Sequence, residues 1–536
     1  PFLNLSVLHS LSSMENNRKV GQAAGTVGSM TLVSRLLGFL RDLVIAMQFG
    51  ATAAADAFFV AFRIPNVQRK ILAEGAVTAA FIPIFSEVRN KRGDREAWDM
   101  TANLFNILLT ILVTSSLALA VFAPLVIMIF APGFIDEPDK FDLTVHLTRW
   151  MAPYLLFIGL AVFFMGILNT FKVFALPAVT PALLNICMIT AALLISPQLD
   201  EPILGLVFGV LAGGFLQFAC QAPEVFRRGF RFIPSFNWKD TEVIRIGRLM
   251  VPAIFGLAVY ELNMLVDTLL ASLLPEGSIS YLYFGNRLVQ LPLGVFGVAL
   301  GVAILPMLSE QAARKELPEM IKTLAFGIRL ILFISIPATV GLILLRFPIV
   351  NTLWERGEFL RSSTEGTAIA LLYYSVGLCA FCAIKVVVPA FYSLQDTKTP
   401  AKIGVYSMIL NIVLNLILMG PLKHGGLALA TSLSALFNVV LLIHYLRKRL
   451  GLMGGRKILV STIRLAVASC IMGIAVYFFN DIFFDPNDAI GVKLIVLTAD
   501  IGVGVLCYGF LSRLIQNEEL GFVLDLARKW RRKIPS

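Results

Sequence analysis

Ser34-Arg35-Leu36-Leu37-Gly38-Phe39-Leu40-Arg41-Asp42 places two arginines and a carboxylate inside an apolar run that covers residues 24–49. About twenty apolar residues are what a helix needs to cross about 30 Å of hydrocarbon. An arginine in the middle of such a helix costs about 2.5–3.5 kcal/mol on insertion scales, so it faces a cavity or a partner rather than lipid. The pattern continues into the next run, with Asp56 and the stretch from Arg63 to Glu74. These two runs decide the reading of the whole chain: a membrane protein whose helices surround a polar interior.

The composition agrees. Of 536 residues 57% are hydrophobic and 15% charged, against about 25% charged in soluble domains; mean hydropathy is +0.81. The apolar residues come in long runs rather than short alternating segments, which excludes a β-barrel. Fourteen spans follow, at about 24–49, 55–88, 99–131, 142–170, 176–197, 202–225, 243–273, 278–312, 319–346, 365–394, 400–420, 425–447, 457–480 and 489–514. The fold class is an all-α polytopic membrane protein.

The net charge of +11 would suggest nucleic acid in a soluble protein. Here it is explained by loop location. Loops after even-numbered spans carry Arg89, Lys91, Arg92 and Arg95, then Lys172, then Arg227, Arg228, Arg231 and Lys239, then Arg314 and Lys315, then Lys398 and Lys402, then Arg447 to Lys457. Loops after odd spans are mostly acidic, as at Asp136, Glu137 and Asp139, or Asp481, Asp485 and Asp488; Lys423 and the mixed loop 355–361 are exceptions. By the positive-inside rule both termini are cytoplasmic, and the basic tail Arg528 to Lys533 agrees.

The chain repeats itself. Ile82-Pro83-Ile84-Phe85-Ser86-Glu87 matches Leu305-Pro306-Met307-Leu308-Ser309-Glu310 at an offset of 223 residues, and Pro177 matches Pro400 at the same offset; Pro124 and Gly133 match Pro348 and Gly357 at 224. A shared offset over six spans points to duplication with orientation kept, hence parallel repeats. The organisation is an N-lobe of helices 1–6 (24–225), a linker (226–242), a C-lobe of helices 7–12 (243–449), helices 13 and 14 (456–515) and a basic tail (516–536). Residues 1–23 form a tail with no leader-like pattern, and those before Met14 read as upstream sequence. Transporters built from such halves bind substrate near the repeat interface and alternate access by rocking.

The candidate site follows from intramembrane charge. Arg35 and Arg41 lie about 120° apart around one helix, so both reach a wide cavity but not a narrow stripe. Ser34 and Gly38 share the face of Arg41. Asp56 and Arg69 fall in span two and Arg287 in span eight; Arg41 with Asp42, and Lys70 with Glu74, offer local neutralisation. Guanidinium forks suit phosphate oxygens bidentately, so the pattern points to an anionic headgroup; snorkelling or interhelical ion pairs are the structural alternative. A second cluster, Asp267, Asn411, Asn415 and Thr431, offers oxygens for a monovalent cation or hydrogen bonds between helices. No Walker loop, zinc motif or acidic metal cluster is present, so an enzyme is not expected. Cys379 and Cys382 have redox-motif spacing but lie mid-span and read as packing.

Several motifs together resemble the MurJ (MviN) family of lipid II flippases: the stretch from Ser34 to Asp42, Asp56-Ala57-Phe58-Phe59-Val60-Ala61-Phe62, Pro65-Asn66, Ala73-Glu74-Gly75-Ala76, Ala80-Phe81-Ile82-Pro83, Ala131-Pro132-Gly133-Phe134, Tyr392-Ser393, Asp396-Thr397-Lys398-Thr399-Pro400 and Gly420-Pro421-Leu422-Lys423-His424. The resemblance covers about residues 24–515. It implies the multidrug/oligosaccharidyl-lipid/polysaccharide exporter superfamily, with two six-helix lobes in a V and two further helices that hold the polyprenyl tail. It implies transport of undecaprenyl-diphosphate-linked disaccharide-pentapeptide from the cytoplasmic to the periplasmic leaflet of the bacterial inner membrane, alongside enzymes of wall synthesis. Its essential cavity residues map onto Arg35, Arg41, Asp56, Arg69 and Arg287, with Ser34, Gly38 and Glu74 in support. A sodium site of some members maps onto Asp267, Asn411, Asn415, Leu427 (carbonyl) and Thr431, where Asn415 replaces a second carboxylate. A flippase for another lipid-linked oligosaccharide and a non-transporting scaffold are the alternatives; a cation-drug exporter would have an acidic chamber.

Overall fold

The computed structural model describes residues 28–71, 77–452 and 454–531; the N-terminal tail 1–23 and Glu74 lie outside them. The described elements are all helices. In chain order they are α1 (28–49), α2 (Ala53–Ile71), α3 (Val77–Arg92), α4 (Asp94–Val121), α5 (Ala123–Phe130), α6 (Pro138–Thr170), α7 (Ala175–Leu194), α8 (Leu204–Arg227), α9 (Thr241–Ser272), α10 (Ser278–Pro292), α11 (Ala299–Ala313), α12 (Leu317–Leu344), α13 (Arg346–Leu353), α14 (Arg361–Val376), α15 (Leu378–Ser393), α16 (Lys398–Leu422), α17 (His424–Leu450), α18 (Gly455–Phe483), α19 (Ile490–Leu514) and α20 (Glu518–Arg531). Among the described residues ten helical stretches are long and apolar enough to cross a membrane, and an eleventh if the pair α14–α15, bent by 42°, is one span. The chain is a multi-pass membrane protein.

Several spans that read as continuous in sequence are broken, each where backbone chemistry demands it. The span 99–131 divides into α4 and α5, with Pro124 in the first turn of α5, where its missing N–H costs nothing. The span 278–312 is interrupted after Pro292 by a π turn, Leu293–Val298. A proline deletes one rung of the i→i−4 ladder, and the wider turn re-forms it. Gly377 separates α14 from α15; a side chain there would collide with Ser432 of α17, 2.6–2.8 Å away.

The chain divides into two compact units. The first comprises the residues up to Phe49 and Ala53–Glu261; the second comprises Gly50–Thr52 and Leu262 onward. The division falls inside α9.

The first unit is built around α6, of whose most apolar stretch 78% is buried. One end of this unit is an aromatic core, where Phe81, Phe85, Phe105, Phe163, Phe164 and Phe230 are buried together. Most of their rings meet edge-on or tilted, as in Phe105–Phe230 at 5.4 Å and Phe81–Phe163 at 5.3 Å, an arrangement favoured by the ring quadrupole; Phe105 and Phe164 stack. The connection 229–240 has no helix. It is fastened by α4: Asn106 Nδ2 donates to the carbonyls of Ile233 (2.6 Å) and Ser235 (3.0 Å), while Asn103 donates to the Asn237 carbonyl and accepts from its N–H.

In the second unit α16 and α17 form a tight hairpin. Gly426 stands against the Leu418 backbone so closely that a Cβ has no room. Helices α18 and α19 pack on each other and on α12, around Leu465, Met472, Val476, Leu497 and Tyr508. The outer faces of α16, α18 and α19 are apolar, with Ile417, Ile482, Ile495 and Leu506 exposed, as lipid-facing helices require.

Candidate functional site

In the first unit α1 brings Ser34, Gly38 and Arg41 to one face, as the seven-residue spacing expects, and Gly38 is buried there. Arg41 is fixed on two sides. Its Nε and Nη2 donate to Asp42 Oδ1 at 3.0 and 2.7 Å, and Asp42 is fully buried. Its Nη1 donates to Asn185 Oδ1 at 3.1 Å, and Asn185 Nδ2 donates back to the Ser34 carbonyl at 3.1 Å. Asn185, on α7, thus ties the guanidinium and the α1 backbone into one network.

Arg35 is exposed and makes no ion pair among the described residues. Arg69, near the end of α2, donates from Nε to the neutral Asn66 Oδ1 at 3.0 Å; among the described residues no carboxylate pairs with it. Lys70, which sequence spacing matched with Glu74, reaches Glu261 of α9 at 3.1 Å.

Asp56 lies in the first turn of α2, with only 1% of its surface exposed. Lys140 of α6 approaches its Oδ2 at 3.5 Å. The ammonium also lies 4.3 Å from the centre of the Phe134 ring and 3.8 Å from Glu137. A desolvated lysine over an aromatic face gains a cation–π attraction, so the motif Ala131-Pro132-Gly133-Phe134 acquires a role: it houses the cation that holds Asp56. Tyr154 of α6 is another buried polar group here, its ring 6.1 Å from Phe62 and its hydroxyl without a hydrogen-bond partner.

The second unit carries Arg287 and the Asp267 cluster. Arg287 is half-buried on α10, just over one turn before Pro292 and the π turn. Asn415 Nδ2 donates to Asp267 Oδ1 at 2.7 Å and to Asn411 Oδ1 at 3.0 Å. Asn411 contacts Thr431 Oγ1 at 3.4 Å, and Thr431 donates to the Leu427 carbonyl at 2.9 Å. Exchanging the Asn411 amide atoms adds hydrogen bonds to Asp267 and Asn263. All five residues of this expected cluster therefore meet. Asn411 and Asn415 are buried, and Asn415 Oδ1 has no partner.

Sequence reading missed Asn185, Lys140 and Glu261. Asn185 is the one amide in the apolar run 176–197 and could have been found by that signal. Lys140 follows the acidic stretch Asp136 to Asp139 in sequence, and its partner is 84 residues away, beyond any local spacing rule.

A family model described as lipid II flippase MurJ matches residues 45–496. A probable lipid II flippase MurJ of Vibrio cholerae is 39% identical over 490 residues, covering 90% of this chain and 93% of the relative. A lipid II flippase MurJ of Burkholderia cenocepacia is 36% identical over 432 residues, covering 79% and 83%. Among solved structures, a lipid II flippase MurJ in an inward closed conformation aligns with a TM-score of 0.77 at 27% identity, over 91% of this chain and 98% of that one. An inward-facing multidrug resistance MATE family transporter of the MOP superfamily aligns with a TM-score of 0.66 at 14% identity, over 80% and 98%, a likeness of fold alone.

Proposed function

The chain belongs to the lipid II flippase MurJ family, and from that premise we propose that it carries lipid II from the cytoplasmic to the periplasmic leaflet of the bacterial inner membrane by alternating access. The guanidiniums of Arg35, Arg41, Arg69 and Arg287 recognise the diphosphate, with Asp56 setting the local charge. The observation that carries this reading is that Arg35 on α1 and Arg69 on α2 have no carboxylate against either among the described residues. A diphosphate supplies the missing anion, and forked donors hold it bidentately.

Binding offsets the repulsion among the arginines and permits the inward side to close. The polyprenyl tail stays in lipid along α18 and α19, since exposing it to water would cost about 0.8 kcal/mol per methylene. Return of the emptied, cationic site toward the cytoplasm is favoured by an inside-negative potential, by about 2.3 kcal/mol per charge per 100 mV. Adding α1, α2–α3 and α9 to the ten apolar spans and the bent pair α14–α15 gives fourteen. Six and six helices form the lobes, two follow, and both termini are cytoplasmic, as the loop charges support. Enzymes of wall synthesis are the expected neighbours.

The Asp267 cluster gathers five oxygen-bearing groups. It fits a sodium ion once the Asn415 amide turns its unpaired Oδ1 toward Asp267; as oriented, the Nδ2 group takes that place. Bound there, sodium would supply positive charge beside Asp267. Loss of any sodium-dependent gain in melting temperature in Asp267→Asn would support the site, and a gain retained in that variant would remove it.

The deciding experiment measures lipid II at the outer leaflet in cells whose one flippase is this protein, comparing Arg287→Ala, Arg287→Lys and wild type at matched protein levels. Loss in the alanine variant with poor rescue by lysine supports forked recognition of phosphate. Normal exposure in the alanine variant makes Arg287 structural.

A further inference from the structure

Helix α19 presents a buried stripe to α18 and α12: Lys493, Leu497, Asp500, Gly504, Tyr508 and Ser512. Steps of three and four residues keep these positions on one face. Four of the six suit a dry interface, and Ser512, a small neutral hydroxyl, follows one turn after Tyr508. Gly504 lets α18 close in, since a Cβ there would meet Val476 at 3.3 Å and Met472 at 3.8 Å. Tyr508 donates its hydroxyl to the Phe333 carbonyl at 2.7 Å, Leu497 is apolar, and Lys493 reaches back from the helix start to the Pro486 carbonyl at 3.2 Å.

Asp500 is the exception. It is the eleventh residue of α19, roughly 15 Å along the axis from the first at 1.5 Å per residue. None of its surface is exposed. Oδ2 accepts from Asn480 Nδ2 of α18 at 2.7 Å, and Oδ1 has no hydrogen-bond partner. The charged groups of the surrounding elements are engaged elsewhere or turned outward. Arg329 of α12 pairs with Glu518 and Glu519 of α20. Arg346 of α13 caps the Ile343 carbonyl at 2.7 Å. Arg464 and Asp481 of α18, and Arg513 of α19, are exposed. Among the described residues no cation pairs with Asp500. An ion at such a position loses its hydration and gains no counter-charge.

We propose that Asp500 is a proton-binding site, carried as the neutral acid while α18 and α19 are packed and ionised only when the pair parts enough to admit water. Parting releases one proton to water and leaves one carboxylate; repacking takes one proton back. The packed pair is then stabilised where the acid holds its proton and weakens as rising pH removes it. The inference is independent of the transport reading, because it concerns the packing of two helices and not the headgroup.

The test uses the full chain, labelled with ¹³C-aspartate, in a maltoside detergent that has no ester carbonyl. Infrared spectra at neutral pH should contain a neutral-acid C=O band that shifts with the label and with deuteration. Asp500→Asn should lose that band and keep its fold, since an amide reproduces the neutral donor and acceptor. The melting temperature of wild type should fall relative to that of Asp500→Asn as pH rises. Absence of a label-sensitive neutral-acid band in wild type, or an unchanged band in Asp500→Asn, overturns the proposal. Asp500→Ser, smaller but also neutral, gives the same reading should the asparagine variant not accumulate.

Discussion

Charge in an apolar helix is accommodated in opposite ways in the two units. On α1 and α2, Arg35 and Arg69 are offered no carboxylate among the described residues, whereas Arg41 is offset by Asp42 at its side and Lys70 by Glu261. Around Asp267 the protein closes the account itself: Asn415 donates to the carboxylate, Asn411 and Thr431 follow, and two of the three are buried. The first arrangement leaves cations that no carboxylate of the described residues neutralises. The second surrounds a carboxylate with neutral groups that already satisfy much of it. A charge left incomplete by the protein is the one available for recognition.

The comparison can be broken most forcefully at Arg41. Arg41→Ala takes the guanidinium partner from a fully buried Asp42, and losing one partner of a buried pair costs about 3–5 kcal/mol. Arg35→Ala and Arg69→Ala should stay within about 0.5 kcal/mol of wild type. Denaturation in detergent measures all three; an Arg35→Ala variant as unstable as Arg41→Ala would mean that Arg35 is a structural cation. The Asp56–Lys140 pair comes next. A double-mutant cycle with Asp56→Asn and Lys140→Met should return a coupling of about 0.5–3 kcal/mol, the range for residues in contact, and a coupling of zero would detach Lys140 from the site. Asn415→Ala leaves Asp267 short of a donor and should cost about 1–3 kcal/mol; no loss of stability would show that the second unit does not depend on that amide.

The smallest effect is expected at a loop. Asp396 accepts from the Thr399 N–H and hydroxyl and from Arg449. The Thr399 N–H, foremost, holds its carboxyl below the usual range; burial opposes, and the Thr399 hydroxyl and Arg449 reinforce it. A lowered value means that the contribution is complete at neutral pH and is lost as pH falls through the carboxylate range. Arg449→Ala should cost no more than about 1 kcal/mol, as for an exposed pair. The difference from wild type should shrink in acid; a difference that stays constant there would show that the loss is one of packing.

The all-helical class was legible because spans of this length and polarity have few alternatives. The charged positions were legible because arginine in an apolar run is costly wherever it points. Breaks inside helices were not, since Pro292 alone does not say whether its helix kinks, stops or widens into a π turn. The Asp267 cluster could be assembled from i, i+4 spacing on α16 and single polar residues on α9 and α17. Lys140 could not, because cation–π shelter under Phe134 and a partner on α2 arise only from packing. Asp500 escaped as well: a lone aspartate in α19 reads as one more polar residue until its burial and its empty oxygen are seen.

The fastened connection after α8 has a practical consequence. Residues 229–240 lack a helix and expose Phe232, Phe236 and Trp238, which would make them the obvious place for a protease to cut. Cleavage needs a segment that can leave its surface and lie extended in an enzyme's cleft. Here Asn103 and Asn106 hold the backbone at Ile233, Ser235 and Asn237, so the segment must first be prised off α4. Digestion of the folded protein should spare it, and Asn106→Ala should turn it into a cutting site.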